Sequence, residues 1–363
     1  MSIYIHIPFC SNICSYCDFC KVYYNSNLVS EYLKQLDKEV KNSYKGELIK
    51  TIYIGGGTPS VLNINELEIL FSIINNFNLS NDYEFTFECN VESLNYEKLE
   101  FLYKNGVNRL SIGVETFNEK FLNFLNRKHS KDDVFDIVNK AKKVGFENIN
   151  IDLMYAFNEQ SIDDLCKDLD YVLKLDVSHI STYSLIIEPH TKLYISGVEN
   201  IDDSLDYEMY RLICDKLKKY GFSHYEISNF CKEGFESKHN LVYWNNNNYY
   251  GFGCGASGYI GNVRYNNTRS INKYNSGEFL LYQEVLNINT IIENEFILGL
   301  RKISGINICS FNEKYGNIFK YNVVNKLISE GKLINDLDNI YINYDYIYIS
   351  NSILVDFIGE MYE

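Results

Sequence analysis

Short runs of β-branched and aromatic residues alternate with stretches of helical periodicity along the first half of the chain. Strands are predicted at Ile3–Pro8, Thr51–Ile54, Tyr83–Glu88, Arg109–Val114, Asn148–Leu153 and His179–Leu185. Between them, apolar positions recur at helical spacing over Leu28–Asn42, Asn65–Asn76, Tyr96–Asn105, Lys131–Val144 and Ile162–Leu175. Six strands separated by helices predict parallel βα units, because parallel neighbours need a long return connection and that crossover is right-handed. The pattern alone fits both a six-unit partial barrel and an open doubly wound sheet.

Beyond residue 200 the alternation breaks. A helix predicted at Ser204–Tyr220 leads into an aromatic, Asn- and Gly-rich stretch from Gly221 to Tyr274. Its Trp244 and many tyrosines make it an extension packed against the core rather than a linker. From about Thr290, short helices at Glu293–Arg301 and Phe319–Glu330 precede a Tyr-rich alternation over Ile340–Ile349 and a last helix, an order compatible with a small winged-helix-like domain. The expected division is a core over 1–200, extensions over 201–288 and a small C-terminal domain over 289–363. No repeat of solenoid length is evident.

No run of eighteen apolar residues occurs, so no transmembrane segment is expected. The opening MSIYIHIPFC lacks the basic flank of a signal peptide and reads as the first strand, which places the chain in the cytoplasm. A net charge of −14 without a Lys/Arg-rich block argues against nucleic acid, whose phosphates require a basic face. Ten cysteines in such a chain read as reduced thiols. Four of them crowd together, at Cys10, Cys14, Cys17 and Cys20.

Cys10, Cys14 and Cys17 form a C-x3-C-x2-C run directly after the first strand. Three thiolates can bind three irons of a [4Fe–4S] cube and leave the fourth open to a ligand. A zinc site, or a closed cluster using Cys20, are the alternatives for the same residues. Gly55-Gly56-Gly57-Thr58-Pro59 follows the second strand, where consecutive glycines let the backbone approach a ligand. Taken singly, such a turn marks a tight βα connection more often than a cofactor site. Position adds weight: parallel α/β folds collect ligands at the C-terminal strand ends. Glu88 closes the third strand, Glu115 follows the fourth, Asp152 lies late in the fifth, and Arg127 falls just past the helix after the fourth. These groups are expected to converge on one rim.

The segments HIPFCSNICSYCDF, IYIGGGTPS, NRLSIGVETF, NIDLMYAF and HNLVYW together resemble the oxygen-independent coproporphyrinogen III oxidase-like family of radical S-adenosylmethionine (SAM) proteins. The resemblance runs from Tyr4 to about Asn266 and is strongest to the heme chaperone branch. It implies an α/β fold, a partial (β/α)6 radical SAM barrel with C-terminal extensions and a small winged-helix-like domain. It also implies a [4Fe–4S] cluster on Cys10, Cys14 and Cys17, with SAM chelating the open iron and one electron cleaving its S–C5′ bond. By the same resemblance Tyr16 lies beside the adenine and Tyr4 at another SAM contact. Gly56, Gly57 and Thr58, helped by Glu88, hold the methionine amino group, Arg127 its carboxylate, and Asp152 the ribose. Glu115 stands where the family usually carries Gln; a carboxylate there accepts hydrogen bonds but cannot donate one.

Cys20 departs from the decarboxylases of the family, which place an extra cysteine one residue after the third ligand, where this chain has Phe19. The chain also starts close to the first strand, without the N-terminal extension those enzymes use. Both features favour a heme-binding chaperone that delivers heme to an acceptor protein; the alternative is oxidative decarboxylation of coproporphyrinogen III, so enzymatic status stays open. The implied partners are heme or another porphyrin and a heme-acceptor protein, with no nucleic acid and no membrane segment of its own; a homodimer is left open. His239, in His239-Asn240-Leu241-Val242-Tyr243-Trp244, is the candidate heme ligand, since imidazole is a common axial ligand. The competing reading makes it a hydrogen-bonded core histidine. Cys231 and Cys254 flank the aromatic stretch and read as small core residues, a heme thiolate being the alternative for one of them.

Overall fold

The computed structural model describes residues 1–360. Six parallel strands form its centre in sequence order: β1 (Ser2–Ile7), β2 (Leu48–Gly56), β3 (Asn78–Asn90), β4 (Arg109–Glu115), β5 (Asn148–Tyr155) and β6 (His179–Ser184). Every residue of β4 is buried, as expected of a strand covered on both faces. Ile3, Ile5, Ile52, Ile54, Phe85, Phe87, Leu110 and Ile112 have essentially no exposure, and each contributes about 1.5–3 kcal/mol by leaving water.

The extensions lengthen this sheet on both sides. On one side β7 (Ser223–Glu226) and β8 (Asn229–Cys231) form a hairpin, with β8 antiparallel to β6. On the other, β9 (Tyr249–Phe252) adds a further parallel strand against β1 and continues into the antiparallel β10 (Ser257–Ile260), β11 (Val263–Asn267) and β12 (Leu280–Val285). The twelve strands run β12-β11-β10-β9-β1-β2-β3-β4-β5-β6-β8-β7. Strand β1, which leads into the cysteine loop, is therefore interior.

The helices begin where their caps dictate. Asn63–Glu66, Ser130–Asp133 and Ser161–Asp164 are reciprocal capping boxes that open helices Ile64–Ile74, Lys131–Val144 and Ile162–Lys174. The C-terminal unit runs helix Ile288–Gly299, β13 (Ile306–Asn307), helices Ile308–Tyr315 and Asn322–Ser329, β14 (Leu333–Asn335) and β15 (Asn339–Ile342), a winged-helix order with β15 central. Two details differ from the sequence reading. The alternation predicted through Ile349 stops at Ile342, and Tyr344–Ile349 winds into a 3₁₀ helix because Asn343 caps the Asp345 N–H. The helix predicted from Phe319 is split into a 3₁₀ turn, Ile318–Lys320, and a helix starting at Asn322.

Candidate functional site

A cleft of about 400 Å³ opens at the C-terminal ends of the central strands. Cys10, Cys14, Cys17, Tyr16, Gly56, Gly57, Thr58, Glu88, Glu115, Arg127 and Asp152 all line it. Of the residues predicted for this rim, Tyr4 alone lies outside.

Backbone contacts place the cysteine loop. Gly57 N–H donates to the Ile7 carbonyl and Thr58 N–H to the Phe9 carbonyl, both at 2.8 Å. A side chain at Gly57 would strike the Phe9 carbonyl at 2.9 Å and Cys10 Sγ at 3.0 Å, so only glycine permits this approach. The Thr58 hydroxyl donates to Cys10 Sγ at 3.6 Å. The far side of the loop is held by Ser15 N–H on the Leu125 carbonyl and by Leu193 N–H on the Ser15 carbonyl.

Cys20 turns away from this cleft. It is buried in the main core and its sulfur lies 3.7 Å from Cys254 Sγ. Among the described residues no three His, Cys, Asp or Glu side chains close on a single ion. Ligands to a cube each take a different iron and need no such common point, so three thiols around one cleft, with the fourth cysteine withdrawn, fit a cube with an open iron.

On the β2 and β3 side, Glu88 accepts from the Tyr53 hydroxyl at 2.6 Å and from Gly56 N–H at 3.0 Å. Burial pushes its carboxyl up to about 7 against those hydrogen bonds, with the nearby Asp152 adding to the rise. On the β4 side, Glu115 sits at φ +66°, a left-handed conformation unusual for a non-glycine residue. Its carboxylate lies 3.5 Å from Arg127 Nη1, and burial lifts it to about 7 although Arg127 opposes the shift. Arg127 also donates to the Gly113 carbonyl at 2.7 Å, Asn90 Oδ1 at 3.2 Å and Glu92 at 3.2 Å, and it approaches Cys14 Sγ at 3.9 Å. Its Nε is buried without a partner. Asp152 accepts from Asn150 at 2.8 Å and Ser111 at 3.1 Å, and burial raises its carboxyl. A guanidinium and buried carboxyls together offer partners for a zwitterionic, hydroxyl-bearing ligand.

Tyr4 and His239 lie elsewhere. The Tyr4 hydroxyl bonds His6 Nδ1 at 2.9 Å, and both residues line a second cavity of about 490 Å³ behind the cysteine loop. His239 is fully buried, with Nδ1 on the Thr51 hydroxyl at 2.7 Å and Nε2 on the Tyr243 hydroxyl at 2.8 Å. Burial lowers its imidazole to about 3. Neither ring nitrogen is free in this conformation.

The sequence reading missed Tyr53, Asn90 and Glu92. Burial alone would raise Glu92, yet its hydrogen bond to His129 and the adjacent Arg127 hold it down at about 2. The alternation of polar Glu88, Asn90 and Glu92 at the end of the third strand was the available signal.

The family model described as the Radical SAM superfamily matches residues 4–172. Fold and site thus define a radical SAM protein. The heme chaperone HemW of Lactococcus lactis is 40% identical over 98% of this chain and 97% of its own length. That of Bacillus subtilis is 40% identical over 99% of this chain and 100% of its own, and that of Escherichia coli 34% identical over 72% and 70%. The chain belongs to the HemW family of the radical SAM superfamily. The solved structure of the Escherichia coli coproporphyrinogen III oxidase matches with a TM-score of 0.87 over 99% of this chain and 90% of that one, at 21% identity, which is a likeness of fold. Among the described residues no helix is long and apolar enough to cross a membrane.

Proposed function

We propose that this chain is a cytoplasmic heme chaperone that binds heme and passes it to an acceptor protein, with a [4Fe–4S] cluster and SAM held in the cleft. The observation that carries the reading is the agreement with heme chaperones at 40% identity over nearly the whole length of both chains. In this reading Cys10, Cys14 and Cys17 ligate three irons. Gly56, Gly57, Thr58 and Glu88 receive the SAM amino group, Arg127 its carboxylate, Asp152 and Glu115 the ribose, and Tyr16 the adenine. The cluster, when bound, supplies a single electron to the sulfonium. The protein's share is to leave one iron uncapped and to fix the nucleotide with charges already buried and oriented.

His239 enters as a heme ligand only in an open state. Helix Lys238–Trp244 must first release the imidazole from Thr51 and Tyr243. Iron–imidazole bonding must then offset two lost hydrogen bonds, about 0.5–1.5 kcal/mol each.

Decarboxylation of coproporphyrinogen III is the second reading, favoured by the fold likeness and opposed by Phe19 in the place of the extra cysteine. One anaerobic preparation, reconstituted with iron and sulfide and supplied with SAM and a reductant, tests both. Titration with heme is expected to give a saturable complex that transfers heme to a heme-free acceptor. Stoichiometric protoporphyrinogen from coproporphyrinogen III, without heme transfer, reverses the order of the two readings.

A further inference from the structure

Behind the cysteine loop lies a pair of thiols that the cluster and nucleotide site does not use. Cys20 ends the loop, and Cys254 lies in the Gly253–Ala256 turn between β9 and β10. Their sulfurs are in contact at 3.7 Å although the residues are 234 positions apart. The approach is built in: Gly255 has φ +85°, and a side chain there would fall 2.4 Å from Cys20 Cβ. Both sides of the contact are tied down. Cys254 Sγ donates to the Thr268 carbonyl at 3.1 Å, His6 Nε2 lies 2.8 Å from the Cys20 carbonyl, and Arg269 bonds the Asp18 carbonyl at 2.5 Å.

We infer that Cys20 and Cys254 are an oxidisable dithiol, and that their disulfide fastens the end of the cysteine loop to the β9–β10 turn. The sulfurs need to close from 3.7 Å to about 2.05 Å. Access comes from the second cavity, which Cys20 lines together with the exposed Phe19, Arg269 and Leu281. Cys254 has no exposure. Cys20 is therefore the attacking group. Its contact with Cys254, with Arg269 and Lys21 nearby, lowers its thiol against the effect of burial, which favours the nucleophilic thiolate.

The oxidant is a low-molecular-weight disulfide. Cys20 attacks one of its sulfurs, forming a mixed disulfide and expelling one small thiolate. Cys254 then attacks Cys20 Sγ, expelling the second small thiolate. Two protein thiols and one small disulfide become one protein disulfide and two small thiols, which carry away both protons. The link closes on the loop that bears Cys10, Cys14 and Cys17, but from the face opposite the cleft, and does not depend on heme binding.

The test treats the full chain anaerobically with oxidised glutathione, alkylates free thiols with iodoacetamide, and digests with trypsin without reduction. Peptides Met1–Lys21 and His239–Arg264 are expected joined, lighter than their sum by two hydrogen atoms. Fragmentation is expected to place the bond at Cys20 in the unmodified sequence, so the result stands even where a variant folds poorly. The linked pair is expected to vanish in Cys254→Ser and to persist when Cys10, Cys14 and Cys17 are all serine. Separate, unlinked peptides at a glutathione concentration that fully converts the exposed Cys309, or a bond mapped to Cys10, Cys14 or Cys17, would overturn the inference.

Discussion

Arg127 and Glu115 form an ion pair at the rim of the cleft, Nη1 to Oε1 3.5 Å, with side chains only 3% and 9% exposed. The same guanidinium serves Glu92 at 3.2 Å, so one cation balances two carboxylates in a place where water screens little. Removing one partner of a buried pair leaves the other charge uncompensated. Arg127→Ala is predicted to cost about 3–5 kcal/mol of unfolding free energy and to weaken SAM binding, whereas Arg127→Lys retains charge but loses the fork that reaches Gly113, Asn90 and Glu92 together. Urea denaturation of the ligand-free chain measures the first effect, and a loss below about 1 kcal/mol would contradict the shared-cation description.

Glu88 gives a pH dependence with a definite sign. Its carboxyl releases a proton near 4.5 when unfolded and near 7 when folded, chiefly because it is buried. Between those values the folded chain binds more protons than the unfolded one. Its contribution therefore turns against folding as pH rises through the window, and is absent below it. Glu88→Gln is predicted to raise the melting temperature of ligand-free protein at about pH 8 and to leave it unchanged below about pH 4. Equal melting temperatures at the higher pH would mean that Glu88 is ionised in the fold at no cost.

Tyr243 holds the Nε2 side of His239. If heme ligation requires that bond to break, deleting the phenol oxygen lowers the cost of opening. Tyr243→Phe is predicted to raise heme affinity by up to about tenfold, the equivalent of about 1.4 kcal/mol, while His239→Ala abolishes the ligated heme spectrum. Heme affinity unchanged in both variants would remove His239 from the heme site.

The strands, though not all of their ends, were legible because β-branched runs and helical periodicity alternate cleanly up to β6. The rim residues were legible because parallel strands present their C-terminal ends to one side. Other features depend on pairings that periodicity does not encode. β9 joins β1 across more than 240 residues, so nothing local marked β1 as interior. Cys20 lies three residues from Cys17 in the sequence, yet its sulfur meets Cys254, 234 residues away, on the opposite face. His239 looked available because a sequence shows a residue's type but not its partners; Thr51 and Tyr243 occupy both of its nitrogens. Glu92 was passed over because its partners, Arg127 and His129, lie more than thirty residues further on.

Because Cys20 faces the core, replacing it is predicted to leave cluster content unchanged. Cys20→Ser should bind as much iron and sulfide per chain as the unaltered protein after anaerobic reconstitution, while Cys17→Ser should lose most of it. Equal losses in the two variants would make Cys20 a ligand.

Electron paramagnetic resonance of the reduced, reconstituted protein, recorded with and without SAM, tests the open iron most directly. The account predicts a [4Fe–4S]⁺ signal whose g-values shift when SAM is added, and a shift that Arg127→Ala weakens. A spectrum indifferent to SAM, or zinc in place of iron on Cys10, Cys14 and Cys17, would contradict it.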